Sequence, residues 1–197
     1  MKKEDLPITR DEAIGILRET NQNDFDMNHY LMSEAIMRAL AKKMKKDEDY
    51  WGMVGLLHDI DWSHTKDDIS NHCIKCVEML REKGFDNHFI DVVQSHAYGL
   101  EEIPKLKKEK RWHDIEHALV AAETLTGLIY AYALMRDGRV SDMNIKGLKK
   151  KLKDKAFAKG VNRELIGEIS EIGISVGDFL EIGIDAIKKI KHEVGLM

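Results

Sequence analysis

From Ala13 to Val194 apolar side chains recur three and four positions apart, and almost nowhere do they alternate with polar ones as a strand would require. That period buries one stripe of each helix against its neighbours, so the pattern predicts an all-α protein. Thr9-Arg10-Asp11-Glu12 is a capping box ahead of Ala13, Ile14, Ile16 and Leu17, and a first helix starts there. Met32, Ala35, Ile36, Ala39 and Leu40 set a second helix from near Asn28 to Met44, with His29 in its first turn. Residues 49–60 read as a buried helix ending on His58-Asp59, and 61–68 as a polar loop. Residues 69–83 read as a helix stopped by Gly84, with His72 in its opening turn. Phe89, Ile90, Val92 and Val93 mark a short helix that delivers His96. Pro104 to Arg111 reads as a loop, followed by a long apolar helix from Asp114 to about Met135 with Glu123 at its middle. Ile145, Leu148, Leu152 and Ala156 share one further face, Asn162 is placed to cap the next helix, and Val176, Phe179, Leu180, Ile184, Ile187 and Val194 form a last stripe.

A chain of 197 residues can bury a substantial core in one unit. The expected organisation is an N-terminal helical segment (1–27), a core (28–135) and a C-terminal helical extension packed on it (136–197). Thirty-one Lys and Arg against 35 Asp and Glu leave a formal charge of −4, which argues against wholesale electrostatic binding to nucleic acid or an acidic membrane. Met1-Lys2-Lys3-Glu4-Asp5 leads into no apolar signal core and no uncharged 18-residue apolar run follows, so a cytoplasmic protein with no membrane partner is expected. Cys73 and Cys76 have the C-x-x-C spacing, but they fall in an amphipathic helical pattern without a second pair, which favours small buried thiols over a redox centre.

His58-Asp59 carries the chemistry. Imidazole nitrogens and a carboxylate hold divalent ions while leaving positions open for water or substrate. Neighbouring residues at a helix end diverge by about 100°, so one of the pair can meet one ion while the other bridges to a second. His29, His72, His96 and Glu123 flank the pair at helix-borne intervals and point to a metal-dependent hydrolase. A second string, His113-Asp114-Ile115-Glu116-His117, matches the H-x-x-E-H zinc-peptidase pattern, but no third ligand follows it and a polar helix start explains the same letters.

Asn28-His29-Tyr30, Gly55-Leu56-Leu57-His58-Asp59-Ile60-Asp61, His72, Ser95-His96 and Ala121-Ala122-Glu123-Thr124-Leu125-Thr126-Gly127-Leu128-Ile129 together resemble the HD superfamily of metal-dependent phosphohydrolases, over about Asn28 to Arg163. The resemblance implies a single globular HD-domain helical bundle in which His29, His58, Asp59 and Glu123 hold one ion. In two-metal relatives further histidines hold a second, here His72 and His96, with Asp59 bridging. Glu123 stands where the family pattern has Asp. One or two divalent transition ions are implied, with iron, manganese, zinc, nickel and cobalt favoured over calcium by the imidazoles. The implied reaction is hydrolysis of a small phosphorylated substrate such as a nucleotide, with Asp59 positioning a metal-bound hydroxide. A di-iron oxygenase and a non-catalytic metal or ligand sensor are the alternatives the fold allows. Lys146 to Arg163 holds eight basic residues and one acidic, Asp154, so Lys149, Lys153 and Arg163 are candidate substrate contacts. Asp61 and His64 suit supporting or substrate roles, and the sequence is silent on oligomeric state.

Overall fold

The capping box at Thr9 forms as read: Thr9 Oγ1 accepts from the Glu12 amide at 3.3 Å while Glu12 Oε2 accepts from the Thr9 amide at 2.7 Å. It opens α1 (Arg10–Glu19). The computed structural model describes residues 5–20 and 23–197, and every regular element among them is helical. The reading made of Met1-Lys2-Lys3-Glu4 lies outside the described residues. α2 (Asp24–Met44) begins four residues earlier than its apolar pattern suggests, because the Asn23 side chain caps the Asp26 amide at 2.9 Å. His29 therefore sits in the second turn of α2, not the first.

α3 (Glu48–Leu57) is buried almost throughout and ends at His58. It packs on α2 unusually closely, and two glycines permit this. A Cβ on Gly55 would stand 2.8 Å from the Ser33 carbonyl oxygen, and one on Gly52 would stand 2.6 Å from Arg38 Nε. The buried Glu34 ties the same region together, accepting from Arg10 Nε at 2.7 Å and Arg38 Nε at 2.8 Å. The short helix α4 (Trp62–Thr65) follows.

The expected helix over 69–83 is a correction. Residues Ile69–Asn71 form a single 3₁₀ turn, His72 is extended (φ −62°, ψ 138°), Cys73 is left-handed (φ 60°), and only Cys76–Glu82 is α-helical, as α5. The buried Asp61 carboxylate overrides the amphipathic pattern: its Oδ1 takes His72 Nδ1 and its Oδ2 takes the Cys76 amide, both at 3.0 Å. Gly84, at φ 87°, closes α5 in the stop role expected of it.

α6 (Asn87–Ser95) is capped by Asp86 and ends at His96. α7 (Asp114–Leu134) forms the centre of the bundle, contacting α2, α3 and α6 together with α8 (Ile145–Lys153), α9 (Arg163–Gly167) and α10 (Val176–Ile190). By length and composition α7 could cross a membrane, but Glu123 interrupts its apolar run, in keeping with the expectation of no uncharged 18-residue stretch, and most of it is enclosed by these neighbours. Ala156 falls outside α8, where Asp154 Oδ1 captures the Ala156 amide at 3.0 Å, and Val194 falls beyond α10 but remains buried.

Candidate metal centre

Helices α2, α3 and α6 and the bend at residue 72 bring four imidazoles to one carboxylate. His29 Nε2 and His58 Nε2 lie 3.0 Å apart, and His72 Nε2 and His96 Nε2 lie 3.4 Å apart. Asp59 stands between the pairs. Its Oδ2 is 3.6 Å from His29 Nε2 and 3.5 Å from His58 Nε2, while its Oδ1 is 3.3 Å from His72 Nε2 and 3.2 Å from His96 Nε2. We refer to these as the outer half (His29, His58) and the inner half (His72, His96).

The far nitrogen of each ring explains why the near one is available. His58 Nδ1 donates to the Gly55 carbonyl at 2.9 Å, and His96 Nδ1 to the Val93 carbonyl at 2.7 Å. His29 Nδ1 is 2.7 Å from Thr126 Oγ1, whose own proton goes to the Glu123 carbonyl at 2.6 Å, so the hydroxyl accepts from the ring. His72 Nδ1 donates to Asp61. Every Nδ1 thus carries a hydrogen, and the four Nε2 atoms converge as the positions a metal would take.

Charge follows from this geometry. Burial drives His58 down to about 3 and lowers His29, so both outer rings stay neutral and two lone pairs meet at 3.0 Å with no proton between them. A cation relieves that contact. In the inner half burial also opposes charge, but hydrogen bonds to Asp59 and Asp61 prevail and hold His72 up at about 10. Burial opposes the Asp59 charge as well, and is outweighed by His58, His72 and His96, which keep the carboxyl well below the usual range. The spacings suit metal ligands: two donors each about 2.1 Å from an ion stand about 3.0 Å apart at right angles and about 3.4 Å at tetrahedral angles. His29, His58 and Asp59, and separately His72, Cys73 and His96, are groups compact enough to hold a divalent ion.

Glu123 lies outside both groups. It lines the same cavity as His29 and Asp59, but its Oε1 accepts from Thr124 Oγ1 at 2.5 Å. Burial raises its carboxyl to about 7. The cavity, about 460 Å³, is walled by Phe25, Tyr30, Trp62, Leu100, Val161 and Leu165, with Asp26, Asp59 and Glu123 as its acidic groups. Lys149 and Lys153 are exposed on α8 and do not line it. The Arg163 guanidinium is turned to the backbone, donating to the Ala158 carbonyl at 2.8 Å and to those of Phe157 and Val161, and so shapes the 154–162 loop whose end forms the rim.

Asp61 holds His72, whereas His64 is exposed. The His113–His117 string is a helix start: Glu116 Oε2 accepts from the Trp112 amide at 2.6 Å and the His113 amide at 3.0 Å, and His117 pairs with Glu168 at 2.9 Å. Three participants escape sequence reasoning. Cys73 joins the inner half and Thr126 orients His29. Arg111 clamps the end of α6 by donating to the Ser95 carbonyl at 2.6 Å while pairing with Glu168. Thr126 sits three residues beyond Glu123 on α7, a helical spacing that puts it on the same face; Arg111 and Glu168 are 57 residues apart and carry no local signal.

A family model described as the HD domain matches residues 27–122, a span that contains all four histidines and Asp59 and stops one residue short of Glu123. No curated protein and no solved structure matches the chain.

Proposed function

We propose, from the premise that residues 27–122 are an HD domain, that this chain is a metal-dependent phosphohydrolase acting on a small phosphoester such as a nucleotide. One observation carries the reading: each oxygen of Asp59 faces its own pair of imidazole nitrogens, the arrangement a carboxylate needs to bridge two divalent ions. Bound there, such ions would bring the pKa of water down to about 7 and neutralise phosphate charge.

The residues of the chain supply the rest. Gly55, Val93, Thr126 and Asp61 lock the four rings in the tautomer that presents Nε2. Only the outer half opens to the cavity, through His29 and Asp59, so substrate enters on that side. Phe25 and Trp62 offer faces for a flat base, and Leu100, Val161 and Leu165 exclude water behind it. Among the described residues no Lys or Arg lines the cavity, so in this reading bound cations would take the role in phosphate capture that the basic stretch suggests, with Lys149, Lys153 and Arg163 left to steer or shape. Glu123, which lines the same cavity, would serve as a further outer ligand if its carboxylate released Thr124.

The test is metal analysis of the purified protein beside Asp59→Ala, joined to a panel of nucleotides and monoesters assayed for released phosphate. Metal-dependent turnover that disappears with the metal in Asp59→Ala is expected; undiminished metal content in that variant would overturn the reading. A second reading has its own observation, since each half presents two imidazoles and one carboxylate oxygen, a donor set that suits non-haem iron. Iron-dependent oxygen consumption without phosphate release would favour that oxygenase.

A further inference from the structure

The inner half contains a donor that the hydrolytic reading leaves idle. Cys73 is fully buried, and its Sγ lies 3.4 Å from His96 Nε2. One donor atom from each of His72, Cys73 and His96 lies within 4.8 Å of the others. The backbone goes out of its way to put the thiol there: Cys73 is held at φ 60°, a region side chains rarely adopt, while its carbonyl accepts from Gln94 Nε2 at 2.6 Å and from the Cys76 thiol at 3.2 Å.

Access divides the two halves. His29 and Asp59 line the cavity, whereas His72, Cys73 and His96 do not, and Trp62 from the cavity wall meets the His72 ring edge-on with centroids 5.3 Å apart. Water and substrate can complete the coordination of an outer ion, but an inner ion must be completed by protein. Open positions mark catalytic metal sites and closed sets of four donors mark structural ones.

We propose that Cys73 binds the inner cation as a thiolate, closing a four-donor site of His72, His96, Cys73 and Asp59 that selects a borderline-soft ion such as zinc or cobalt. The proposal rests on the binuclear reading above and assigns its two halves different work, the outer ion facing substrate and the inner ion anchoring Asp59. The spacing agrees, because a sulfur about 2.3 Å and a nitrogen about 2.1 Å from one tetrahedral ion stand about 3.6 Å apart. As the inner cation binds, the Cys73 thiol proton and the Nε2 proton of His72 both pass to solvent. Cys76 points its thiol at a carbonyl and takes no part.

Cobalt(II) titrated into the metal-free full-length protein tests this by absorption. Visible ligand-field bands report cobalt on the imidazoles, and a near-ultraviolet charge-transfer band reports cobalt on a thiolate. The wild type and Cys76→Ser are expected to show both. Cys73→Ser is expected to keep the visible bands, lose the near-ultraviolet one and bind one of its two ions at least about tenfold more weakly. Visible bands without a charge-transfer band in the wild type would remove Cys73 and leave the metal centre standing. Survival of that band in Cys73→Ser would also overturn the proposal, and failure to take up cobalt at all would overturn the proposal and the binuclear reading together. Zinc-edge X-ray absorption of the wild type needs no variant: one sulfur per two zinc ions is expected, and none would refute the assignment.

Discussion

The two halves of the centre are built by different means. The outer half is positioned by helix packing: His29 and His58 meet because α3 approaches α2 across Gly55, where even one methyl group would stand 2.8 Å from the Ser33 carbonyl oxygen. The inner half is positioned by polar bonds: His72 leaves helical geometry to meet Asp61, and His96 ends a helix whose last carbonyls are clamped by Arg111. A packed half tolerates change badly everywhere along its interface, whereas a hydrogen-bonded half fails at a few identifiable atoms.

Asp59 belongs to both halves, so its removal has the largest expected effect. Asp59→Ala should lose both ions by metal analysis and reduce phosphate release by at least about 10²–10³-fold. Loss of only one ion would show that the halves do not share their carboxylate. Next comes Asp61→Asn, which alters only the inner half. It should weaken one metal-binding step by about 10–100-fold in a titration and leave the other within error; equal weakening of both would erase the distinction. Gly55→Ala attacks the outer half through packing alone. A cost of about 1–3 kcal/mol in urea unfolding is expected, because the neighbour it meets is backbone that cannot rotate away. A neutral result would mean that α3 has room to retreat from α2.

The same division governs what a reader of the sequence can see. α1 announces itself by apolar period and a capping box and α2 by apolar period alone, and His58 and His96 fall at helix ends where the pattern stops, so the outer half and one inner ligand are legible. Residues 69–76 are not. Ile69, Cys73, Cys76 and Leu80 fit a helical face, and nothing local reveals that Asp61, eleven residues before His72, withdraws both His72 and the Cys76 amide from a helix. Cys73 reads as an ordinary core thiol for the same reason: burial is legible from composition, but a left-handed backbone imposed by a distant carboxylate is not. Glu123 is legible as a position on α7 and illegible as a ligand, since the turn of its carboxyl towards Thr124 is a side-chain choice. The Lys149 and Lys153 stretch shows the converse, a strong local charge signal whose side chains stand apart from the cavity.

The smallest effect separates the halves most sharply, because in the metal-free protein they titrate with opposite sign. Burial holds His58 at about 3 and lowers His29, against about 6.5 for imidazole in an unfolded chain. Between those values the unfolded chain binds protons that the folded one refuses, so the outer half loses stability as pH falls from about 6.5 towards about 3. Asp59, held low, loses its contribution in the same direction below about 3.8. His72 is raised to about 10, so its contribution is complete below about 6.5 and is lost as pH rises towards about 10. Urea unfolding of chelator-treated protein should therefore show stability passing through a maximum near pH 6.5. Asp61→Asn should flatten the alkaline limb and spare the acid one, since Asp61 is among the groups that raise His72 but is not among those that lower His58. Zinc should do something different, steepening the acid limb as protons compete for the Nε2 lone pairs and abolishing the alkaline one, because a coordinated His72 has already given up its Nε2 proton and keeps only the Nδ1 hydrogen held by Asp61. A metal-free profile that climbs steadily across the alkaline range would mean that His72 is not held between Asp59 and Asp61, and the polar construction of the inner half would fall with it.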